Sequence, residues 1–464
     1  MDVLIVVLPL AFLILVAYKG FNVILFAPIA ALLAVLLVDP ALVLPFFSGV
    51  FLDKMAGFIK LYFPVFLLGA VLGKLIEMAG YAKSISTAVI NVIGKNRAML
   101  AVVLVGAILS YGGVSLFVVV FAIYPFAAEL FKASAIPKRL VPATIGLGAF
   151  TFTMDALPGT PQIQNIIPST FFNTDAWAAP WLGICGSIFI FSIALSYLHW
   201  QRDKAAKNGE GYGTNHTNEP EKREDKTLPS VFVAVLPLLV VTVFNKIFTW
   251  SIPQLYGKTF DFSSLGMKEI PPVDISKLTA VWAVEGALVL GIATVLVFAF
   301  RAIKTGIASG LNLAIGGALL ATLNTASEYG FGAVIAALPG FRVVSAAIAS
   351  AFKDPLVNEA VTTTTLAGIT GSGSGGLSIS LALMSKTYIE QAAQRGIDPE
   401  VLHRVAAMAC GGMDSLPHNG ALITLLAVTG LTHKQAYKDI FVLTLVKTAA
   451  VFFVIALYYL FGIV

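Results

Sequence analysis

Residues 151–162 read TFTMDALPGTPQ, and residues 411–420 read GGMDSLPHNG. Both stretches contain an Asp-x-Leu-Pro pattern, and both lie in apolar surroundings. A second duplicated motif precedes each of them, GGVS at residues 112–115 and GGLS at residues 375–378. Proline removes a backbone donor, and proline and glycine both interrupt helices. The repeated order predicts two related halves, with a substrate site built from broken helices where the halves meet.

The composition places the chain in a membrane. Of its 464 residues, 58% are hydrophobic and 12% are charged, and the mean hydropathy is +0.88. Apolar runs of about 20 residues, the length of a helix that crosses a bilayer, recur along the whole chain. We therefore expect an all-α polytopic membrane protein with about ten to fourteen hydrophobic elements. The net charge of +5 is explained by basic cytoplasmic loops and not by binding to nucleic acid.

One polar segment divides the chain. Residues 201–226 contain six basic and six acidic residues and almost no apolar ones. Their lysines and arginines favour the cytoplasmic side of the membrane. The predicted domains are a first transmembrane repeat at 1–200, a polar cytoplasmic linker at 201–228 and a second transmembrane repeat at 229–464, with the transport site at the interface of 110–175 and 360–430.

The two aspartates of the duplicated pattern are candidates for proton or sodium coupling. An ionisable side chain within a membrane costs several kcal/mol, so Asp155 and Asp414 are functional candidates by default. In the alternative interpretation each aspartate caps a broken helix and only positions the backbone. His418 is a third candidate for proton coupling, because imidazole titrates near physiological pH, or else a hydrogen-bonded structural histidine.

Unpaired backbone groups at the breaks, together with nearby hydroxyl and amide side chains, can hold a small polar molecule. A helix that begins at a glycine-serine motif presents N–H groups and a positive dipole end to a carboxylate. The alternative function of these small residues is close helix packing. The substrate-binding candidates are Gly112, Gly113, Ser115, Thr160, Gln162, Gly375, Gly376, Ser378, His418 and Asn419.

Two further patterns lead to local predictions. Residues 368–376 read GITGSGSGG, and because glycine costs about 1 kcal/mol per helical position relative to alanine, we expect this run to be unwound. A weaker duplication pairs Glu77 with Glu328, and neither glutamate is assigned to the site. Lys74 lies one turn before Glu77, at a spacing that allows an ion pair.

Motifs of other protein classes are missing from the sequence. It contains no GxxxxGK[ST] phosphate loop, no CxxC or HExxH metal pattern and no GxSxG nucleophile motif. We therefore predict no cofactor, no bound metal and no enzymatic activity. A channel is disfavoured, because duplicated broken helices are typical of alternating access.

The chain resembles the gluconate permease (GntP) family of bacterial proton symporters, within the ion transporter superfamily. The resemblance is carried by Tyr111–Pro125, by Phe150–Asp175 with its proline-rich turn, and by Gly411–Lys438. It implies proton-coupled import of a small organic anion across the bacterial inner membrane. It also implies two inverted-topology repeats with re-entrant helical hairpins, a scaffold domain, a mobile transport domain with elevator-like motion, and a homodimer in the lipid bilayer.

The chain departs from the gluconate-type members at one segment. Where those members share a segment rich in histidine and proline, this chain has MDALPGT at residues 154–160. The departure favours a less hydroxylated acid such as 3-hydroxybutyrate over gluconate, as in the hydroxybutyrate-permease-like members. Unwound carbonyl groups suit Na⁺ equally well, so a sodium-coupled carboxylate symporter of the same fold is the alternative.

Overall fold

A computed structural model describes nearly the whole chain as helix. The described residues are 2–19, 21–94, 97–114, 116–214, 216, 218–219, 228–341, 343, 347, 351–417 and 419–464. A short antiparallel ribbon pairs β1 (Thr259–Phe260) with β2 (Val273–Asp274). The first-half helices are α1 (Asp2–Tyr18), α2 (Val23–Val38), α3 (Val43–Phe46), α4 (Asp53–Met78), α5 (Tyr81–Ile93), α6 (Ala98–Tyr111), α7 (Leu116–Ala133), α8 (Val141–Ala149), α9 (Phe152–Asp155), α10 (Ile163–Phe172) and α11 (Pro180–Lys207).

Short irregular helical segments occur in both halves. A π-helical segment, Phe47–Leu52, joins α3 to α4, and 3-10 turns occur at Pro40–Leu42, Lys138–Leu140, Phe262–Leu265 and Gly412–Ser415. The second-half helices are α12 (Val231–Tyr256), α13 (Ile275–Ile303), α14 (Ile307–Ala337), α15 (Pro355–Thr370), α16 (Gly373–Arg395), α17 (Pro399–Gly411), α18 (Gly420–Thr429) and α19 (His433–Phe461).

The predicted all-α polytopic fold is confirmed. Within the described residues, six helical stretches are long and apolar enough to cross a membrane. These stretches are Pro40–Met78, Pro180–Lys207, Val231–Tyr256, Ile275–Ile303, Ile307–Ile335 and His433–Phe461.

The order of elements repeats between the two halves. A hairpin of two helices, α6–α7 or α15–α16, comes first. A helix that ends in a break and a ten-residue helix follow, as α8 and α10 or as α17 and α18. A long helix, α11 or α19, closes each series. The two Asp-x-Leu-Pro patterns therefore occupy corresponding breaks.

Local sequence explains where the second-half helices begin. Asp354 accepts hydrogen bonds from the backbone N–H groups of Leu356 and Val357, and Asp398 and Asn419 cap α17 and α18 in the same way. Side-chain oxygens at this position satisfy backbone donors that have no partner within the helix.

The expectation that residues 368–376 are unwound is wrong for most of the run. Only Gly371 and Ser372 leave the helical conformation, and Gly371 has φ +69°. Residues 373–376 form the first turn of α16, because Gly376 lies directly against the backbone of Ala367 in α15. This close packing of two helices offsets the propensity cost of glycine.

The helices form two packed sets. The frame helices are α1, α2, α4, α12, α13 and α14. The site helices are α6 to α11 and α15 to α19. The two sets meet mainly where α14 packs on α16 and α10 packs on α13, with smaller contacts of α1 with α15 and of α4 with α7. Helix α5 packs on α6 of the site helices and on α12 of the frame helices.

The polar segment at 201–228 is partly built into this fold. Helix α11 extends to Lys207, and Glu219 forms an ion pair of 2.8 Å with Lys138. On α4, the predicted pairing of Lys74 with Glu77 is confirmed at 3.0 Å.

Candidate functional site

A cavity of about 400 Å³ lies between the frame helices and the site helices. Its frame side is formed by α4, α13, α14 and the start of α2. The site helices contribute Gly113, residues 161–164, Gly371, Ser372, Asp414 and residues 419–421. Segments from both halves of the chain therefore meet at one cavity.

Asp414 is buried in the Gly412–Ser415 turn. It lies beside the hairpin tip, residues 371–373, where α15 ends and α16 begins. Its carboxylate accepts hydrogen bonds from the Gly373 backbone N–H at 2.9 Å, from Gln164 Nε2 at 3.0 Å and from Asn419 Nδ2 at 3.4 Å. Gly373 is the first residue of α16. Asp414 thus has the geometry of a helix cap and lines the cavity at the same time, and its part in coupling stays a prediction.

Asp155 lies in an ion pair behind the cavity. Its Oδ2 accepts a hydrogen bond of 2.5 Å from Lys447 Nζ, and both side chains are buried. Lys447 Nζ also donates to the Phe150 carbonyl at 3.2 Å. The Asp155 carboxylate abuts Gly411, where an added Cβ would overlap it. Met154 reaches the cavity lining and Asp155 does not.

A second buried cation, Arg404, donates hydrogen bonds to the backbone around the first Asp-x-Leu-Pro break. Arg404 donates to the Asp155 carbonyl at 3.0 Å, to Asn165 Oδ1 at 2.9 Å and to the Ala178 carbonyl at 2.6 Å. Residues of α17 and α19 therefore satisfy unwound backbone in the first half. Sequence reasoning missed both cations, although Lys447 is the one charged residue between Asp439 and the last residue, a signal of function or pairing in a membrane.

Gln162, which follows the Asp-x-Leu-Pro break, contacts the turn at Gly113 between α6 and α7. Its Nε2 donates to the Ser110 carbonyl at 2.7 Å and to the Val114 carbonyl at 3.3 Å, on either side of Gly113. Gly113 has φ +85°, which favours glycine. The Thr160 hydroxyl instead donates to the Thr153 carbonyl at 2.7 Å, and Thr160 does not line the cavity.

The remaining glycine and serine candidates serve packing in this structure. An added Cβ at Gly112 would collide with Leu238, and one at Gly375 would overlap the Glu328 carboxylate. Gly376 abuts Ala367, as described above. Ser378 donates to the Ser374 carbonyl at 2.8 Å and lines a smaller cavity of about 240 Å³. Ser115 and His418 lie outside the described residues.

The start of α10 is an open helix N-terminus at the cavity. Gln162 occupies the N-cap position without a side-chain hydrogen bond to the helix, and Ile163 and Gln164 line the cavity. The starts of α16 and α18 are capped by Ser372 and Asn419. Of these three termini, α10 is the one whose N–H groups are left for an anion.

Glu328 of α14 is a site residue that the sequence prediction left out. It is 4% exposed, lines the cavity and is hydrogen-bonded to Ser372. Its Oε2 has no hydrogen-bond partner among the described residues. In the same part of the chain, no cluster of three or more His, Cys, Asp or Glu side chains is placed to hold a metal ion.

Broken helices that meet at a cavity, inside a bundle of membrane-crossing helices, are typical of a secondary transporter. Residues 1–386 match the sequence profile described as GntP family permease, and the chain belongs to this family. The predicted family resemblance is thereby confirmed, and the protein is a transporter and not an enzyme. The hydroxybutyrate-like subtype stays a prediction.

A relative from Bacillus subtilis agrees with this assignment. The chain is 58% identical to the "Uncharacterized transporter YxjC" of Bacillus subtilis (strain 168), an alignment that covers 100% of both chains. It also superposes on the crystal structure of the Alcanivorax borkumensis YdaH transporter, described as having an unusual topology, with a TM-score of 0.46 and 13% identity. That superposition covers 92% of this chain and 90% of the other.

Proposed function

We propose that the protein imports a small organic carboxylate together with protons across the bacterial inner membrane. The observation that carries this proposal is the open N-terminus of α10 at a cavity that also holds the buried carboxyl groups of Asp414 and Glu328. The first feature attracts an anion, and the second requires a cation to accompany it.

The α10 terminus supplies the anion site. Backbone N–H groups and the helix dipole favour negative charge at Ile163 and Gln164. Gln164 Oε1 and Asn324 Oδ1 are buried without hydrogen-bond partners among the described residues, and both residues line the cavity. These two amide oxygens are suited to accept hydrogen bonds from substrate hydroxyls, as a short hydroxy acid such as 3-hydroxybutyrate, or a sugar acid such as gluconate, would provide.

The acidic side chains support proton coupling. A carboxylate substrate would lie beside Asp414 and Glu328, and like charges that share a site of low dielectric disfavour one another. Lys447 and Arg404 are engaged at Asp155 and do not line the cavity. A proton that enters with the substrate removes one of these charges. Sodium would compensate the charge as well and is the alternative coupling ion.

The position of the cavity supports an elevator-like mechanism. Because the cavity lies between frame and site helices, a displacement of the site helices along the frame would carry the bound substrate across the membrane. The family resemblance adds a homodimer, in which the frame helices of two copies would form the fixed part.

Transport into proteoliposomes tests the proposal. With an inward proton gradient and no sodium, we expect accumulation of labelled 3-hydroxybutyrate, and we expect an uncoupler to abolish it. Labelled gluconate, assayed in parallel, measures whether residues 154–160 decide specificity. Uptake that requires sodium instead would reject proton coupling, and a lack of uptake of either acid under both gradients would reject these substrates.

A further inference from the structure

We propose that Glu328 binds and releases the coupled proton, and that its contact with Ser372 links this proton to movement of the hairpin tip. The inference rests on the proposed function and assigns its coupling step to a residue of the frame helices. It departs from the sequence prediction, in which Asp155, Asp414 and His418 were the candidates.

Of the buried carboxyl groups, Asp414 and Glu328 line the cavity and Asp155 lies behind it, and these three have different partners. Asp155 is paired with the Lys447 ammonium group, and Asp414 accepts three hydrogen bonds, one of them from a helix N-terminus. Both are therefore stabilised as carboxylates. Glu328 has a hydrogen bond with Ser372 and, unlike Asp155, no ion pair among the described residues, and its Oε2, like Asp155 Oδ1, has no hydrogen-bond partner there. A buried carboxylate in that position costs much more free energy than its neutral, protonated form.

Among the described residues, the elements that pack against α14 bring no cation close to Glu328. Helix α14 packs on α2, α4, α16 and the π segment, and α14, α2 and the π segment contain no charged residue besides Glu328. The charge that acts on Glu328 is that of Asp414. The charged side chains of α4 and α16 lie elsewhere, with Asp53, Lys54 and Lys60 exposed and Lys74 paired with Glu77. Lys386, Glu390 and Arg395 of α16 are about 20 Å or more along the helix from Gly373.

The contact between Glu328 and the hairpin tip crosses the two helix sets. Glu328 belongs to frame helix α14, whereas Ser372 caps site helix α16. Gly375 makes the approach possible, because a Cβ there would overlap Glu328 Oε2. Loss of the proton places a second negative charge beside Asp414 at the cavity wall. Proton release therefore weakens binding of the anion and disfavours the contact of the hairpin tip with Glu328. In this way the release of the proton is coupled to the release of the substrate.

The test compares two kinds of transport by Glu328→Gln in proteoliposomes. We expect the variant to lose proton-driven accumulation, and the alkalinisation of the medium that accompanies substrate entry, to the level of empty liposomes. Substrate exchange at equal pH on both sides should persist, because glutamine keeps the shape and hydrogen bonding of a permanently protonated glutamate. Glu77→Gln, at the duplicated position on α4 away from the cavity, is the matched control and should retain both activities.

Each result has a distinct meaning. Wild-type protein without proton-driven uptake would reject the proposed function itself. If wild-type protein and the Glu328→Gln variant show equal proton-driven accumulation, the assignment of Glu328 is overturned and the proposed function stands. A folded Glu328→Gln variant that has also lost exchange at equal pH would overturn the same assignment. Should Glu328→Gln fail to fold, Glu328→Asp decides the question. A pH profile of uptake shifted from wild type supports the assignment, and an unshifted profile overturns it.

Discussion

At the residue scale, Asp155 and Lys447 show how a charge is kept within this membrane domain. The two side chains come from α9 and α19, and both are buried. The distance from Lys447 Nζ to Asp155 Oδ2 is 2.5 Å. A buried ion pair adds little stability over a well-packed apolar pair, but removal of one partner leaves an uncompensated charge. Since Asp155 sits at the first break, its pairing also fixes the backbone that leads to the cavity.

We predict that Lys447→Met lowers the free energy of unfolding by about 3–5 kcal/mol, because it leaves Asp155 charged and unpaired. The double variant Asp155→Asn with Lys447→Met should recover most of this loss, since it removes both charges. Thermal unfolding of detergent-purified protein, followed by size-exclusion fluorescence, measures the effect. Lys60→Met, at an exposed lysine of α4, is the control and should unfold like wild type. A double variant as unstable as the single one would mean that the charge is not the cause.

At the element scale, the hairpin α15–α16 depends on glycine for its packing. Gly376 lies against the Ala367 backbone, and Gly375 lies against Glu328. The first contact joins the two hairpin helices, and the second joins the hairpin to α14. Glycines that weaken an isolated helix therefore allow two tight contacts around the tip.

We predict that Gly376→Ala destabilises the protein by about 1–3 kcal/mol, because the new methyl group must push α15 away from α16. The control is Gly316→Ala on α14, where an added Cβ has no neighbour within 4 Å. The control should be neutral or more stable, by up to about 1 kcal/mol, because alanine favours helix. Melting curves of the two purified variants check the difference. Equal melting temperatures would contradict the close packing of this hairpin.

At the scale of the whole molecule, the polar segment at 201–228 forms hydrogen bonds with the site helices. Glu219 accepts hydrogen bonds from Lys138 at 2.8 Å and Tyr212 at 3.0 Å. Asn218 donates to the Ala427 carbonyl of α18 at 2.8 Å. The segment thereby contacts site helices of both halves. These contacts connect the site helices of the first half to those of the second half.

We predict that Glu219→Gln increases tryptic cleavage within residues 201–226. Burial alone would raise the pKa of Glu219, but hydrogen bonds from Lys138 and Tyr212 more than offset it and hold the pKa below its ordinary value of 4.5. A lowered pKa stabilises the attached form above the unfolded pKa, and this contribution is lost as the pH falls through the lower folded value. The effect of the substitution should therefore be constant between about pH 6 and 8.

Limited proteolysis followed by mass spectrometry measures this cleavage. Glu269→Gln, at an exposed position of the other polar segment, is the control and should leave the cleavage rate unchanged. Cleavage of Glu219→Gln at the wild-type rate would show that the ion pair does not hold the segment.

Much of the architecture could be predicted from the sequence because its signals are local. Apolar length predicts membrane helices, and the Asp-x-Leu-Pro patterns predict two breaks. Gly113, Gln162, Asp414 and Asn419 were candidates on that basis, and all four line the cavity. Thr160 was a candidate by the same logic, yet its hydroxyl turns to the backbone of its own break. Side-chain direction at an irregular turn depends on packing that no local pattern contains.

The sequence by itself determined the membrane class, the duplicated motifs and the places where helices break, since each depends on hydrophobicity and backbone chemistry over short stretches. Only the tertiary structure decided which charges meet. Lys447 pairs with Asp155, Gln164 donates to Asp414, and Glu328 contacts the hairpin tip with no cation beside it in the described part of the chain. The physical reason is that the cost of a buried charge depends on its partners in space, and these come from helices far apart in the chain.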